Sequence, residues 1–179
     1  MGMKKQIAFW QMVGFLVVAI AGTLLHFLFD WTGENTFVAL FSAVNESIWE
    51  HLKLPFYPMV AVALVQYFFW GKKTASFWCI KLVGILLGLV LIPVVYYTYT
   101  GILGVNADWF NITIFFLAAG AVYWVETKLF QNGFACSVCS KVAVALICLM
   151  GLLFTVLTFS TPHIPLFEDP VTGTYGFQK

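Results

Sequence analysis

Long apolar runs alternate with short polar connections along this chain, and the alternation repeats five times. The runs cover residues 7–29, 54–70, 77–100, 109–125 and 142–160. A helix that crosses ~30 Å of hydrocarbon needs ~20 mostly apolar residues, and each run is close to or above that length. None of them alternates with period two, as a lipid-facing β-strand must. The pattern predicts an all-α, polytopic membrane helix bundle with five transmembrane helices. The connections are too short for a separate soluble unit, so residues 1–179 read as a single integral membrane domain, ending in a tail at 161–179. Lys4-Lys5 followed by Ala19-Ile20-Ala21 resembles a cleavable signal. The apolar run continues to Phe29, however, well beyond the ~7–15 residues of a signal core, so the segment reads as the first span.

Composition narrows the class further. Of the 179 residues, 61% are hydrophobic and 9% charged, none is Arg, and the net charge is +1. That excludes a soluble globule, a disordered chain and a nucleic-acid partner. The lysines sort by side. Lys4, Lys5, Lys72, Lys73, Lys81, Lys128 and Lys141 fall on one side of a five-span chain. The other side carries Asp30, Glu34, Glu46, Glu50, Asp108, Glu168 and Asp169, with Lys53 and Lys179 as its cations. By the positive-inside rule the N-terminus is inside and the C-terminus outside. Cys136-Ser-Val-Cys139 then lies on the reducing side, where free thiols are expected. Glu126 with Lys128 reads as a boundary pair, and Gly84 with Gly88 as a small-residue packing face.

The informative polar segment is Ser42–Lys53. On a helix, Glu46 and Glu50 are i,i+4 neighbours, as are Ser47 and His51. Asn45 or Ser42 is the expected cap, and the helix is expected to run on into the second span. Pro55, Pro58 and Pro93 each strip a hydrogen bond from a carbonyl four residues back. His26, His51 and His163 all map to the outer side, together with Asp30, Asp108, Asn111 and Asp169. The tail mixes apolar residues with prolines and glycines, and is expected to fold back as a lid that carries His163 and Asp169 inward. Ionisable groups at membrane depth are costly unless they meet. His26, Glu46, Glu50, His51 and His163 are therefore expected in one outward-facing pocket.

Imidazoles with carboxylates suit a divalent metal of the zinc or iron type. In that reading His26, His51 and His163 are metal ligands. Glu46 and Glu50 are the catalytic carboxylates, one near the metal and one as general base. Asp30 orients His26, and Asn45, Ser47, Lys53, Asp108 and Asp169 are supporting residues. Ser47 beside His51 does not establish a nucleophilic triad. Three functions follow. One is a metal-dependent membrane-embedded hydrolase acting on a lipid or amphiphile. Another is a solute- or ion-binding transport component. The third is an interaction protein whose outer polar cluster is structural; a plainer reading of Glu46, Glu50 and Lys53 is a solvated face of an interfacial helix. The partners are the lipid bilayer and a lipid or small-molecule ligand; the oligomeric state stays open.

Three stretches carry a resemblance: Leu25-His26-Phe27-Leu28-Phe29, the string Asn45-Glu46-Ser47-Ile48-Trp49-Glu50-His51, and the ending from Pro162 to Gly173. The chain resembles a family of small bacterial integral membrane proteins of unknown function. The resemblance implies a multi-pass protein of the bacterial plasma membrane, and no activity.

Overall fold

Five helices follow one another: α1 (Met3–Trp31), α2 (Ile48–Phe69), α3 (Phe77–Leu103), α4 (Asp108–Gln131) and α5 (Ser140–Phe159). Short 3-10 turns occupy Val38–Leu40 and Gly71–Lys73. The computed structural model describes residues 2–178; Lys179, counted above among the outer cations, lies outside them. All five helices are long and apolar enough to cross a membrane, as a multi-pass membrane protein requires. Among the described residues there is no strand, only an isolated bridge between Glu168 and Tyr175. Helices run past their apolar cores because polar side chains at the ends do not interrupt the backbone ladder. Thus α1 begins a turn before Ile7, and α4 continues beyond Val125 to Gln131.

The start of α2 differs from the expectation. Neither Asn45 nor Ser42 caps it. Ser47 does, with an extended backbone and its hydroxyl accepting from the Glu50 amide at 3.3 Å. Residues 41–47 are therefore a loop, and Glu46 lies outside the helix. Pro55 and Pro58 sit inside an unbroken α2, and Pro93 inside α3.

α2 is the most buried of the five and packs against α1, α3 and α5, while α4 closes on α1 and α3. Val18, Met59, Val62, Ile85, Ala118, Ala119 and Val122 fill the middle of the bundle. One contact explains a glycine. Pro58 leaves the Leu54 carbonyl without its helical donor, and Gly22 of α1 rests against that oxygen. A Cβ at Gly22 would lie 2.8 Å from it and 2.6 Å from the Phe115 ring. Gly22→Ala is expected to lower stability by ~1–3 kcal/mol, the usual range for overpacking, read as a lower unfolding midpoint in detergent. Gly84 and Gly88 serve packing inside the bundle, against Glu126 and Val122 of α4.

At one end of the bundle the start of α1 meets the end of α4, where Gln131 Nε2 donates to the Lys4 carbonyl at 3.1 Å. The α2–α3 connection meets the start of α5 there, with Ser140 Oγ donating to the Ala75 carbonyl at 3.2 Å. This meeting corrects the cysteine expectation. Cys136 is bonded to Cys79 of α3, with Cα atoms 6.3 Å apart, and Cys139 and Cys148 are free and exposed. The separation of 57 residues between Cys79 and Cys136 hid the pair.

The tail folds over the opposite end without forming a helix. Phe167 packs on Trp49, and Phe177 lies between Phe29 and Phe159. The Leu166 carbonyl accepts from the Trp49 amide at 3.0 Å, and the Phe177 amide donates to the Thr158 carbonyl at 2.8 Å. Gly176 has φ 62°, and a Cβ there would run into Thr161, so glycine is required at that turn.

Candidate functional site

The tail end of the bundle brings three of the predicted residues together. His26 lies in the last two turns of α1, His51 in the first turn of α2, and Glu46 in the loop just before the Ser47 cap. His51 Nε2 is 3.3 Å from one Glu46 oxygen, and His26 Nε2 is 3.9 Å from the other. The two imidazole centres are 5.1 Å apart. Each residue offers a ligand atom within 4.8 Å of the others. A tetrahedral zinc site with arms of ~2.0–2.1 Å places its ligand atoms about 3.3 Å apart, so the group must draw in by up to ~1.5 Å to hold an ion.

The surroundings orient these groups. His51 Nδ1 is 2.9 Å from the Ser47 carbonyl. That carbonyl can only accept, so Nδ1 carries a proton, and the hydrogen bond to the Glu46 carboxylate uses a second proton on Nε2, which a bound ion would displace. The hydrogen bond from His51 holds the Glu46 carboxyl below the usual carboxylate range, against the opposing effect of its partial burial, which keeps it anionic at neutral pH. Asp30 does not take the expected role. His26 Nδ1 is buried without a hydrogen-bond partner, and Asp30, one turn further along α1, is exposed.

A cavity of about 440 Å³ opens beside the three residues, within the ~300–1,000 Å³ of small-molecule sites. His26, Glu46 and His51 form one polar wall. Tyr96, Asn106, Asp108 and Asn111 face them from α3, α4 and the connection between, and Gly22, Leu54, Ile92, Ile114 and Phe115 contribute apolar surface. Pro170 and Val171 of the tail close one side. The far wall is held by a small mesh, in which Asn111 Nδ2 donates to Asn106 Oδ1 at 2.8 Å and the Tyr99 hydroxyl to Asn111 Oδ1 at 2.5 Å.

Other expected members go elsewhere. Glu50 and Glu46 separate because the cap at Ser47 puts one inside the helix and the other outside, so no i,i+4 pairing arises. Glu50 is 1% exposed and bonds Lys53 Nζ at 2.6 Å, Thr158 Oγ1 at 2.7 Å and the Val44 amide at 3.2 Å. Lys53 is fully buried and also donates to the carbonyls of Ala39 and Ser42, at 2.8 and 3.1 Å. These two are an internal clamp between the 38–47 loop, α2 and α5, not a solvated helix face and not part of the cavity wall. Ser47 is buried as the cap. Asn45 accepts from the Ser47 amide and donates to the Gly176 carbonyl, which pins the tail. Asp169 is buried and closes a tail turn by accepting from the amides of Val171 and Thr172. His163 does not enter the pocket. It is exposed and stacks on Tyr175 within the tail.

A second polar cluster, absent from the expectations, lies toward the other end. Lys81 Nζ and a Glu126 oxygen are 2.5 Å apart, both residues about 2% exposed. Glu126 thus pairs across helices with Lys81, not along α4 with Lys128. Gln11 Nε2 donates to the same carboxylate at 3.0 Å, and Gln66 Nε2 donates to the Trp10 carbonyl at 2.7 Å and to Gln11 Oε1 at 3.3 Å. Four helices, α1 to α4, each contribute one polar residue. The sequence signal was two glutamines and two charges set inside apolar helical segments.

No curated protein and no solved structure matches this chain. A family of unknown function, DUF6512, matches residues 1–177. With nearly its whole length matched, the chain belongs to the family of unknown function DUF6512.

Proposed function

We propose that this protein is a membrane-embedded, metal-dependent enzyme of the hydrolase type, with His26, His51 and Glu46 as ligands of a divalent ion of the zinc or iron type. The observation that carries the reading is the convergence of these three ligand atoms at the wall of the 440 Å³ cavity. Three protein ligands leave a fourth position open, as a catalytic zinc site needs and a structural one does not. An ion there would lower the pKa of a bound water and polarise a substrate oxygen. Among the described residues, Asp108 is the other carboxylate lining the cavity, and it takes the general-base role first given to Glu50.

Metal uptake by equilibrium dialysis of the purified protein tests this. One equivalent of zinc is expected for the wild type, and His51→Ala or Glu46→Ala should weaken binding by at least about tenfold, the loss seen when even a supporting residue of a metal site is removed. His163→Ala should bind like the wild type. Ligation requires neutral imidazole, so uptake should fall as pH drops and the imidazoles take up protons. Equal binding by wild type and Glu46→Ala would contradict the site.

The chain is read as a single domain of a bacterial plasma membrane, with the bilayer as its partner, N-terminus inside and C-terminus outside. Support comes from Lys4, Lys5, Lys72, Lys73, Lys128 and Lys141 at one end. That orientation puts the Cys79–Cys136 pair in reducing surroundings, where disulfides are rare. A membrane-impermeant maleimide is expected to label Cys139, which is free and exposed, only after permeabilisation. Labelling of Cys139 in intact cells would reverse the orientation.

A further inference from the structure

The cavity has a side entrance. Phe27 of α1 and Ile112 and Phe116 of α4 line it, yet they are also 44%, 58% and 37% exposed. Thr23 of α1 lines it and is exposed too. The cavity therefore opens between α1 and α4 onto the flank that faces lipid in a membrane. Deeper in, Gly22 sits against Leu54 and Phe115 and closes the seam, so the opening is confined to the half of the bundle that carries the tail. Pro170 and Val171 stand over one side. The polar groups stand on two facing walls, His26, Glu46 and His51 on one and Asn106, Asp108 and Asn111 on the other, and mostly apolar side chains line the route from the flank.

From this geometry we infer that the ligand is a single-chain amphiphile with an anionic carboxylate or phosphate head, which enters sideways from the bilayer between α1 and α4. The chain lies along Thr23, Phe27, Ile112 and Phe116, and the head reaches His26 and His51. The inference rests on the metal reading for the sign of the head. A divalent ion with Glu46 as its one carboxylate ligand has a net positive charge at its open position, which favours an anion there; Asp108, on the facing wall, is outside the ligand group. The chain site follows from the side entrance alone. The volume is at the low end of the ~300–1,000 Å³ range for small-molecule sites, which favours one chain over two.

Photo-crosslinking tests it. The full chain is reconstituted with zinc into phosphatidylcholine vesicles that carry one of three diazirine probes: palmitic acid, lysophosphatidic acid, or phosphatidylcholine with the diazirine on one chain. Peptide mapping is expected to find the palmitate or the lysophosphatidate probe on the Thr23–Phe27 and Ile112–Phe116 segments. Labelling there should exceed that of Leu64 and Leu152, which are exposed on the flanks of α2 and α5, by several-fold. Which of the two probes labels more strongly separates a carboxylate head from a phosphate head. Thr23→Trp and Ile112→Trp, each checked for an intact unfolding transition, should both abolish the excess by filling the entrance. Seam labelling without zinc uptake would leave the amphiphile site standing and remove the metal. Zinc uptake without excess seam labelling, or equal labelling by the phosphatidylcholine probe, would overturn the amphiphile while leaving the metal in place.

Discussion

Replacing Lys53 with methionine lowers the stability of the bundle by ~3–5 kcal/mol, the loss expected when one partner of a buried ion pair is removed and the other charge stays behind. The residue is fully buried, and its ammonium satisfies the Glu50 carboxylate and two loop carbonyls at once. Without it, Glu50 keeps a charge in a space that water does not reach, and the Ala39 and Ser42 carbonyls lose their donor. The loop that carries Glu46 is then untethered from α2. Denaturant titration in a mild detergent reads the change as a lower midpoint. The double variant Glu50→Gln, Lys53→Met should recover most of the loss, because no charge is left unpaired. Glu46→Gln removes a half-exposed carboxylate instead and should leave the midpoint nearly unchanged. A Lys53→Met protein as stable as the wild type would contradict the clamp.

Glu126→Ala should have a comparable effect at the other end of the bundle. The Lys81 ammonium would remain among the rings of Phe77, Tyr123 and Phe130, all within 6 Å of it, with Gln11 Oε1 as a weak partner at 3.3 Å. A lone charge at membrane depth costs at least ~2.5–3.5 kcal/mol, and the empty space left by the side chain adds to that. Pairing Glu126→Ala with Lys81→Met should restore much of the midpoint. Zinc uptake by the double variant should match the wild type, because the packed apolar layer separates this cluster from the cavity. A loss of zinc binding there would mean that the two polar layers are coupled.

The five spans were legible because each needs only an apolar run of sufficient length, a property of composition over a window. The orientation is an expectation that rests on the lysines alone. What the sequence hid was local phase and long-range pairing. Glu46 and Glu50 look like helical neighbours, and only the cap at Ser47 separates them, sending one to the cavity and the other to Lys53. Periodicity does not show which of Ser42, Asn45 and Ser47 ends the loop, because Ser and Asn both cap well. His26, Glu46 and His51 were legible as polar groups at one side of the membrane. His163 was grouped with them from its side alone, but a tail without regular structure gives no rule for where a side chain points. Gln11, Gln66, Lys81 and Glu126 lie on four different helices, and nothing in the helical pattern says which faces meet. Their one signal, polarity inside apolar segments, was present and pointed to burial.

X-ray absorption at the zinc edge of the zinc-loaded wild-type protein tests the central claim most directly. The account predicts a first shell of two imidazole nitrogens at ~2.0–2.1 Å and one carboxylate oxygen at ~2.0–2.2 Å, completed by a light atom from water. The imidazole outer-shell scattering should fall by half in His51→Ala. A first shell with sulfur at ~2.3 Å would assign the ion to the cysteines at the opposite end, and a hydrated ion without imidazole scattering would remove the metal site altogether.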